Sequence, residues 1–295
     1  MSIFESIQQY EPRQGAALVK HLTAAGIDPD NLTRAALLSF RDHVRAKLSP
    51  GAGRTLCASL AALLRRIEHP AAVYCGEALK IRPDRVNRAA ITPGELERLE
   101  ALNDPNELNE STPERLAERP HTRTTGRTVL TPNERFVLNE FIVGCRTGAR
   151  ISDLELFTPA NIQDGRLTYT SLKTGITATI PVSDMTIQRV KWLNECGIRL
   201  PLMTYNRIIK RLCERAGINE VVTVHQRGKD MTGPKYEFVS SHTARITMCT
   251  ILANLEVPVL DIMRLAGHTD PAMTARYIVR TAPDLNDLAM NYLNK

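Results

Sequence analysis

Apolar residues recur at three- and four-residue steps over most of this chain. The pattern gives way once, in NIQDGRLTYTSLKTGITATIP at 161–181, to short β-rich runs broken by turn signals. That spacing restricts the chain to a mainly α fold carrying a small antiparallel β-sheet. Asp164-Gly165 and Lys173-Thr174-Gly175 separate the β-rich runs, and such pairs mark tight hairpin turns. Helical spacing reads through Leu32–Lys47, with Leu37, Phe40 and Val44 on one side, Asn31 as N-cap and Ser49-Pro50-Gly51 as the stop. A second helix through RTLCASLAALLRRIEH places Leu56, Leu60 and Leu63 or Leu64 on one face. NERFVLNEFIVGCRTG, after Thr131-Pro132, predicts a helix ending at Gly148. Helical patterns resume at Asn206–Ala216, Thr243–Leu255 and Val259–Leu265, the last two divided by Pro258. DLNDLAMNYLNK at 284–295 reads as a short amphipathic helix.

The length of 295 residues accommodates two domains, and 43% hydrophobic with 24% charged residues is ordinary globular usage. The formal charge of +6 is unevenly placed. Residues 1–90 carry 13 Lys+Arg against 8 Asp+Glu, residues 91–130 carry 5 against 8, and residues 131–295 carry 20 against 16. Two basic blocks thus flank an acidic, Pro-, Asn- and Thr-rich stretch. The expected division is a helical domain of four or five short helices over 1–90, a polar linker or bridging segment over 91–130, and a second domain over 131–295. Within the linker, Ile91-Thr92-Pro93-Gly94-Glu95-Leu96 looks like a helix start. A mild basic excess permits nucleic acid as a partner without establishing it. Arg41, Arg45, Lys47, Arg54, Arg65 and Arg66 could line DNA or form a solvated basic face; both readings are open.

The six cysteines, Cys57, Cys75, Cys145, Cys196, Cys213 and Cys249, form no CxxC pair and sit mostly in apolar periodic stretches. Buried thiols in a reducing compartment are the expectation. No run of 18 apolar residues and no basic-then-apolar leader is present, so a cytoplasmic protein with no membrane partner is expected.

Several cations stand where apolar or turn residues would serve. Arg150 opens a helix before ISDLELF, Lys173 sits at a hairpin tip, His242 and Arg245 lie three apart at a helix start, and His268 follows Gly267 at a turn. Tyr277 follows nine residues later. Each has a structural explanation: Arg150 can pair with Asp153, His268 can bond the backbone, and Tyr277 can be core. No zinc-finger spacing, Walker A loop, GxGxxG or GxSxG elbow accompanies them, so no metal and no cofactor is expected. Cations around one phenol suit a phosphodiester, since guanidiniums clamp its oxygens and a phenol can attack phosphorus.

In order along the chain, these segments resemble the tyrosine recombinase (phage integrase) family. Thr147-Gly148-Ala149-Arg150-Ile151-Ser152-Asp153-Leu154 resembles the segment of the first catalytic arginine, and Ser241-His242-Thr243-Ala244-Arg245 the H-x-x-R box. Leu265-Ala266-Gly267-His268 resembles the LGH box, with Ala266 where a second leucine is common, and Tyr277 falls at the distance of the nucleophile. Lys173, in SLKTG, resembles the lysine of the β-hairpin, with Lys229 and Lys235 as rivals. The resemblance covers about 131–281. Residues 1–90 match the core-binding domain in size, position and charge alone.

The resemblance implies a site-specific DNA recombinase that cleaves and rejoins duplex DNA through a 3′-phosphotyrosyl intermediate, for integration or excision of a phage or mobile element. Tyr277 would be the nucleophile, Arg150 and Arg245 the phosphate clamps, and Lys173 the general acid. His242 would assist proton transfer and His268 would hydrogen-bond the phosphate. Asp153 would orient Arg150 or cap its helix. The implied partners are double-stranded DNA, a homotetramer on two DNA sites with the 284–293 helix docking on a neighbour, and possible accessory DNA-bending proteins. Other readings are topoisomerase-like relaxation by the same cleavage, and a nonenzymatic DNA-binding regulator of the same fold.

Overall fold

The computed structural model describes residues 3–10, 14–29, 31–82, 87–103, 130–226, 228–279 and 290. It divides into two compact units, residues 1–86 with 225–230, and residues 87–224 with 231–295.

The first unit is helical: α1 (Ile3–Tyr10), α2 (Gly15–Ala24), α3 (Arg34–Lys47), α4 (Pro50–Arg66), a 3-10 turn at Pro70–Tyr74, and α5 (Cys75–Ala78). Thr33, not Asn31, caps α3: its extended backbone lets the side-chain oxygen accept from the Ala36 N–H at 3.2 Å. Asn31 is occupied in a turn, donating its backbone N–H to the Asp28 carbonyl. The second expected helix starts earlier than Arg54. Ser49 accepts from the Ala52 N–H, and Pro50 takes the first helical position, where a missing N–H costs nothing. Ser49-Pro50-Gly51 therefore ends one helix by opening the next. Leu37, Phe40 and Val44 meet Leu56, Leu60, Leu63 and Leu64 in one apolar core.

The second unit begins with α6 (Pro93–Glu100), where Thr92 and Glu95 form a capping box. Then come α7 (Pro132–Thr147), opened by a second capping box of Thr131 and Glu134, and the single turn α8 (Ile151–Leu154). The antiparallel sheet follows as β1 (Ile162–Gln163), β2 (Arg166–Thr170) and β3 (Thr177–Pro181). Asp164 (φ 48°) and Gly165 (φ 69°) make the β1–β2 turn, both left-handed as a two-residue hairpin turn requires. In the β2–β3 register Leu167 pairs Ile180 and Tyr169 pairs Ala178 on the buried face. Thr168–Thr179 and Thr170–Thr177 hydroxyl pairs, at 3.0 and 2.9 Å, line the other face.

Four more helices, α9 (Asp184–Cys196), α10 (Leu202–Arg215), α11 (Thr243–Asn254) and α12 (Val259–Ala266), and the short α13 (Pro271–Ala275) complete the unit. A two-stranded ribbon, β4 (Val221–Gln226) and β5 (Lys229–Pro234), lies between α10 and α11.

Helix α7 is buried on nearly every side, packed by α6, α9, α10 and α11. A Cβ on Gly144 would stand 3.0 Å from the Ala244 Cβ, so this glycine sets how closely α7 and α11 approach. The first turn of α6 is tied down by a buried ion pair, Lys235 Nζ to Glu95 Oε2 at 2.7 Å.

The fold is mainly α with a small antiparallel sheet, as the spacing predicted, and it adds the two-stranded ribbon β4–β5. The expected 284–295 helix falls outside the described residues, apart from Met290, as does 104–129 of the polar stretch. Among the described residues no helix is long and apolar enough to cross a membrane. All six cysteines are free thiols, buried except Cys196, which is half-buried.

Candidate active site

Arg245 is the most constrained cation of the site. The last turn of α7 ends in Gly148, left-handed at φ 66°, which leaves its carbonyl turned toward α11. The carbonyl accepts Arg245 Nη1 at 2.7 Å, and His268 Nε2 accepts Arg245 Nε at 3.1 Å. Arg245 is fully buried with no carboxylate partner among the described residues, and it acts on the phenol of Tyr169 through its charge and a side-chain hydrogen bond. A buried guanidinium with no carboxylate partner is a receptor for an anion.

His268 explains how that guanidinium is held. Its Nε2 faces the Arg245 donor and so carries no proton, which puts the hydrogen on Nδ1. Nδ1 lies 2.9 Å from the hydroxyl of Thr274, itself fully buried on α13. Burial first, then the charges of Arg245 and Arg150, push His268 down to about 3. The ring is neutral at pH 7 with both nitrogens engaged inside the protein.

Arg150 precedes α8 and is held by the hairpin. Its Nη1 donates to Ser171 Oγ at 2.9 Å and lies 3.7 Å from Asp153 Oδ2. Asp153 is completely buried, and its Oδ1 accepts the backbone N–H of Leu172 at 3.0 Å. One carboxylate thus orients the arginine and pins the β2–β3 turn, so orientation and pinning replace helix capping as its role. Lys173 follows in that turn, exposed, with its charge reaching His242. Of its rivals, Lys235 is consumed by the Glu95 pair, and Lys229 begins the exposed strand β5.

Tyr277 stands just beyond α13, on the edge of a small apolar cluster around Met248 and Ile262. Thr250 on α11 holds this segment by donating to the Tyr277 carbonyl at 3.2 Å and accepting from the Val279 N–H at 3.0 Å. The ring touches four groups. His242 packs edge-on with centroids 5.2 Å apart, and His268 lies 4.8 Å away. The guanidiniums of Arg245 and Arg88 each lie 5.6 Å from its centroid. His242 is pushed down to about 4 by burial and then by Arg88, Arg245, Arg150 and Lys173. It is a neutral base beside the phenol at pH 7.

The expected residues Arg150, Lys173, His242, Arg245, His268 and Tyr277 therefore converge, within the second unit. Sequence reasoning missed Ser171, Thr274 and Arg88. Ser171 and Thr274 carried a weak signal, being hydroxyls beside matched motifs, whereas Arg88 lies in a segment without periodicity. The six N-terminal cations lie on α3 and α4 of the first unit. Lys47, Arg54, Arg65 and Arg66 are exposed, Arg41 is half-buried against Asp42 at 2.9 Å, and Arg45 is 4.0 Å from Asp42. Arg54 and Arg65, eleven residues apart, fall on one side of α4. Among the described residues no three His, Cys, Asp or Glu side chains group as a metal site.

Residues 139–282 match the model of the phage integrase family. The chain belongs over that span to this family, the tyrosine recombinases, enzymes of site-specific DNA recombination. Solved structures share the fold at low identity. A lambda integrase fragment, a dimer bound to a COC′ core site, is 15% identical over 94% of this chain and 95% of its own, with a TM-score of 0.59. The lambda integrase tetramer on a Holliday junction is 14% identical over 93% of this chain and 75% of its own, TM-score 0.55. XerH recombinase, in a post-cleavage complex with a palindromic difH substrate, is 14% identical over 94% and 76%, TM-score 0.59. No curated protein sequence matches the chain.

Proposed function

We propose that the chain cleaves and rejoins duplex DNA through a covalent 3′-phosphotyrosyl intermediate at Tyr277. The observation that carries this reading is buried Arg245, without a carboxylate partner among the described residues, beside a phenol that the guanidinium of Arg88 also faces. The Tyr277 oxygen attacks the scissile phosphorus, forming a P–O bond as the bond to the 5′ oxygen breaks. Neutral His242 takes the phenolic proton, and Lys173 gives one to the departing 5′ oxygen. Arg150 and Arg245 hold the nonbridging oxygens, where charge accumulates in the transition state. His268 and Thr274 fix Arg245, and Asp153 and Ser171 fix Arg150. Attack by a second DNA 5′-hydroxyl on the phosphotyrosine reverses the chemistry and exchanges strands. The phosphodiester energy is conserved, so the reaction as written uses no nucleotide cofactor.

Residues 1–90 serve as the DNA-gripping domain, Arg41, Arg45, Lys47, Arg54, Arg65 and Arg66 supplying phosphate contacts; α6 joins 131–295 in the catalytic domain, and the rest of 91–130 serves as a bridging segment. Strand exchange between two sites calls for four protomers, an assembly supported by the lambda integrase tetramer on a Holliday junction. The reaction serves integration or excision of a mobile element.

The test is covalent trapping. The protein is incubated with a randomised library of nicked duplexes, quenched in detergent, and adducts are sequenced and digested to the attached peptide. The expected peptide carries DNA on Tyr277, and Tyr277→Phe yields no adduct while still shifting the selected duplex in a gel. An adduct persisting in Tyr277→Phe overturns the assignment.

A further inference from the structure

Arg88 belongs to no matched motif and lies outside the span that matches the family model. Its position is nevertheless built. One residue before it, Asn87 Nδ2 donates to the Thr223 carbonyl on β4 at 3.0 Å. Three residues after it, the Ile91 N–H donates to Thr247 Oγ1 at 3.0 Å, on the helix that carries Arg245. Ala89 and Ile91 are buried between these ties. The short segment is thus fastened at both ends, and the side chain between them is delivered to the Tyr277 ring at 5.6 Å.

We propose that Arg88 is a positioning residue for the nucleophile: its guanidinium holds the Tyr277 ring in the cationic site and favours the negative charge that the ring gains as its oxygen is freed to attack. A cation over an aromatic face is held by the ring's quadrupole, and the attraction grows when the ring carries charge. The charge of Arg88 is also, after burial, the largest influence keeping His242 neutral. Arg88 therefore acts on both partners of the first proton transfer. Arg245, the other guanidinium at the ring, has two of its donors committed to Gly148 and His268; no hydrogen bond ties Arg88 among the described residues.

The role in the reaction rests on the reading of Tyr277 as nucleophile; the hold on the ring does not. Two measurements separate them. In DNA-free protein with labelled tyrosine rings, Arg88→Gln should move the Tyr277 ring resonance toward free-tyrosine values, and Arg88→Lys should move it less. In single-turnover cleavage of the trapped nicked duplex at saturating protein, Arg88→Gln should slow adduct formation by about three- to thirtyfold. Its rate–pH curve should shift to higher pH, while melting temperature and affinity stay near wild type. An unmoved ring resonance overturns the proposal whether or not DNA is cleaved. So does a loss of rate carried wholly by affinity, which makes Arg88 a DNA contact only, or wholly by stability. A wild-type chain with no adduct on Tyr277 fails the reading of the nucleophile, while the ring resonance still decides Arg88.

Discussion

The two units are built under different rules. In the first, the buried side chains are apolar, with Ser6 the one polar exception among the described residues. In the second, Arg135, Asn139, Glu140, Asp153, Arg189, Lys235, Arg245 and His268 are all buried. Burying polar and charged groups is costly unless each finds a partner, so a unit that does it repeatedly is committed to something besides compactness. Around the site the partners form two chains, Gly148–Arg245–His268–Thr274 and Ser171–Arg150–Asp153–Leu172. Each runs through a guanidinium. The contrast teaches that α3 and α4 could be exchanged for other helices of the same patterning, whereas α11 could not.

Substitutions can break or sharpen this contrast. The largest effect is expected at Arg245→Gln, which should slow cleavage by about 10²–10³-fold, the loss typical of one preorganised donor at a charged transition state. Single-turnover rates at saturating protein check it. Thr274→Val removes the partner of His268 Nδ1 without changing shape much. Cleavage should fall about tenfold with DNA affinity retained, and Thr274→Ser should recover most of the rate. Equal rates for Thr274→Val and wild type would show that the buried relay is merely packing.

Stability against pH sharpens the contrast next. His242 and His268 are depressed to about 4 and about 3, below the ordinary 6.5 of the unfolded chain. As pH falls from about 6.5 toward 4 the unfolded chain binds protons that the fold refuses, and stability declines by about 1.4 kcal/mol per pH unit for each histidine. Glu140, raised to about 7 by burial, works oppositely: its contribution is present at low pH and is lost as pH rises from about 4.5 to 7. Between pH 5 and 6 the second unit should therefore gain stability with pH at the net slope of one group, and Glu140→Gln should steepen it. Urea melts across that range measure both slopes.

The smallest effects belong to the first unit. Arg54→Ala with Arg65→Ala should change folding stability by less than about 0.5 kcal/mol each, since both are exposed. If they contact phosphates, each removal should weaken DNA binding across sequences and reduce the log–log salt slope by about 0.9.

Legibility in the sequence follows the same division. The β1–β3 hairpins and the helix ending at Gly148 were readable because period and turn chemistry agree there. Ordered motifs pointed to six residues that the fold brings together, because motif spacing can be read even where patterning cannot. Helix α9 escaped because Thr186 and Arg189 are buried within it and blur its apolar stripe. The ribbon β4–β5 escaped because β5 has no buried residue, so no alternation marks it. Arg88 was invisible for a different reason: its place depends on contacts with Thr223 and Thr247, more than 130 residues away in the chain.

The buried charge of Arg245 has a consequence for the protein at rest. A cation buried with no carboxylate partner among the described residues loads the fold electrostatically, and any anion that seats there relieves it. Substrate and fold are then thermodynamically linked: a phosphate bound at a hundred times its dissociation constant adds about 2.7 kcal/mol to the stability of the whole second unit. The protein is at its sturdiest while it is holding the backbone it is about to cut.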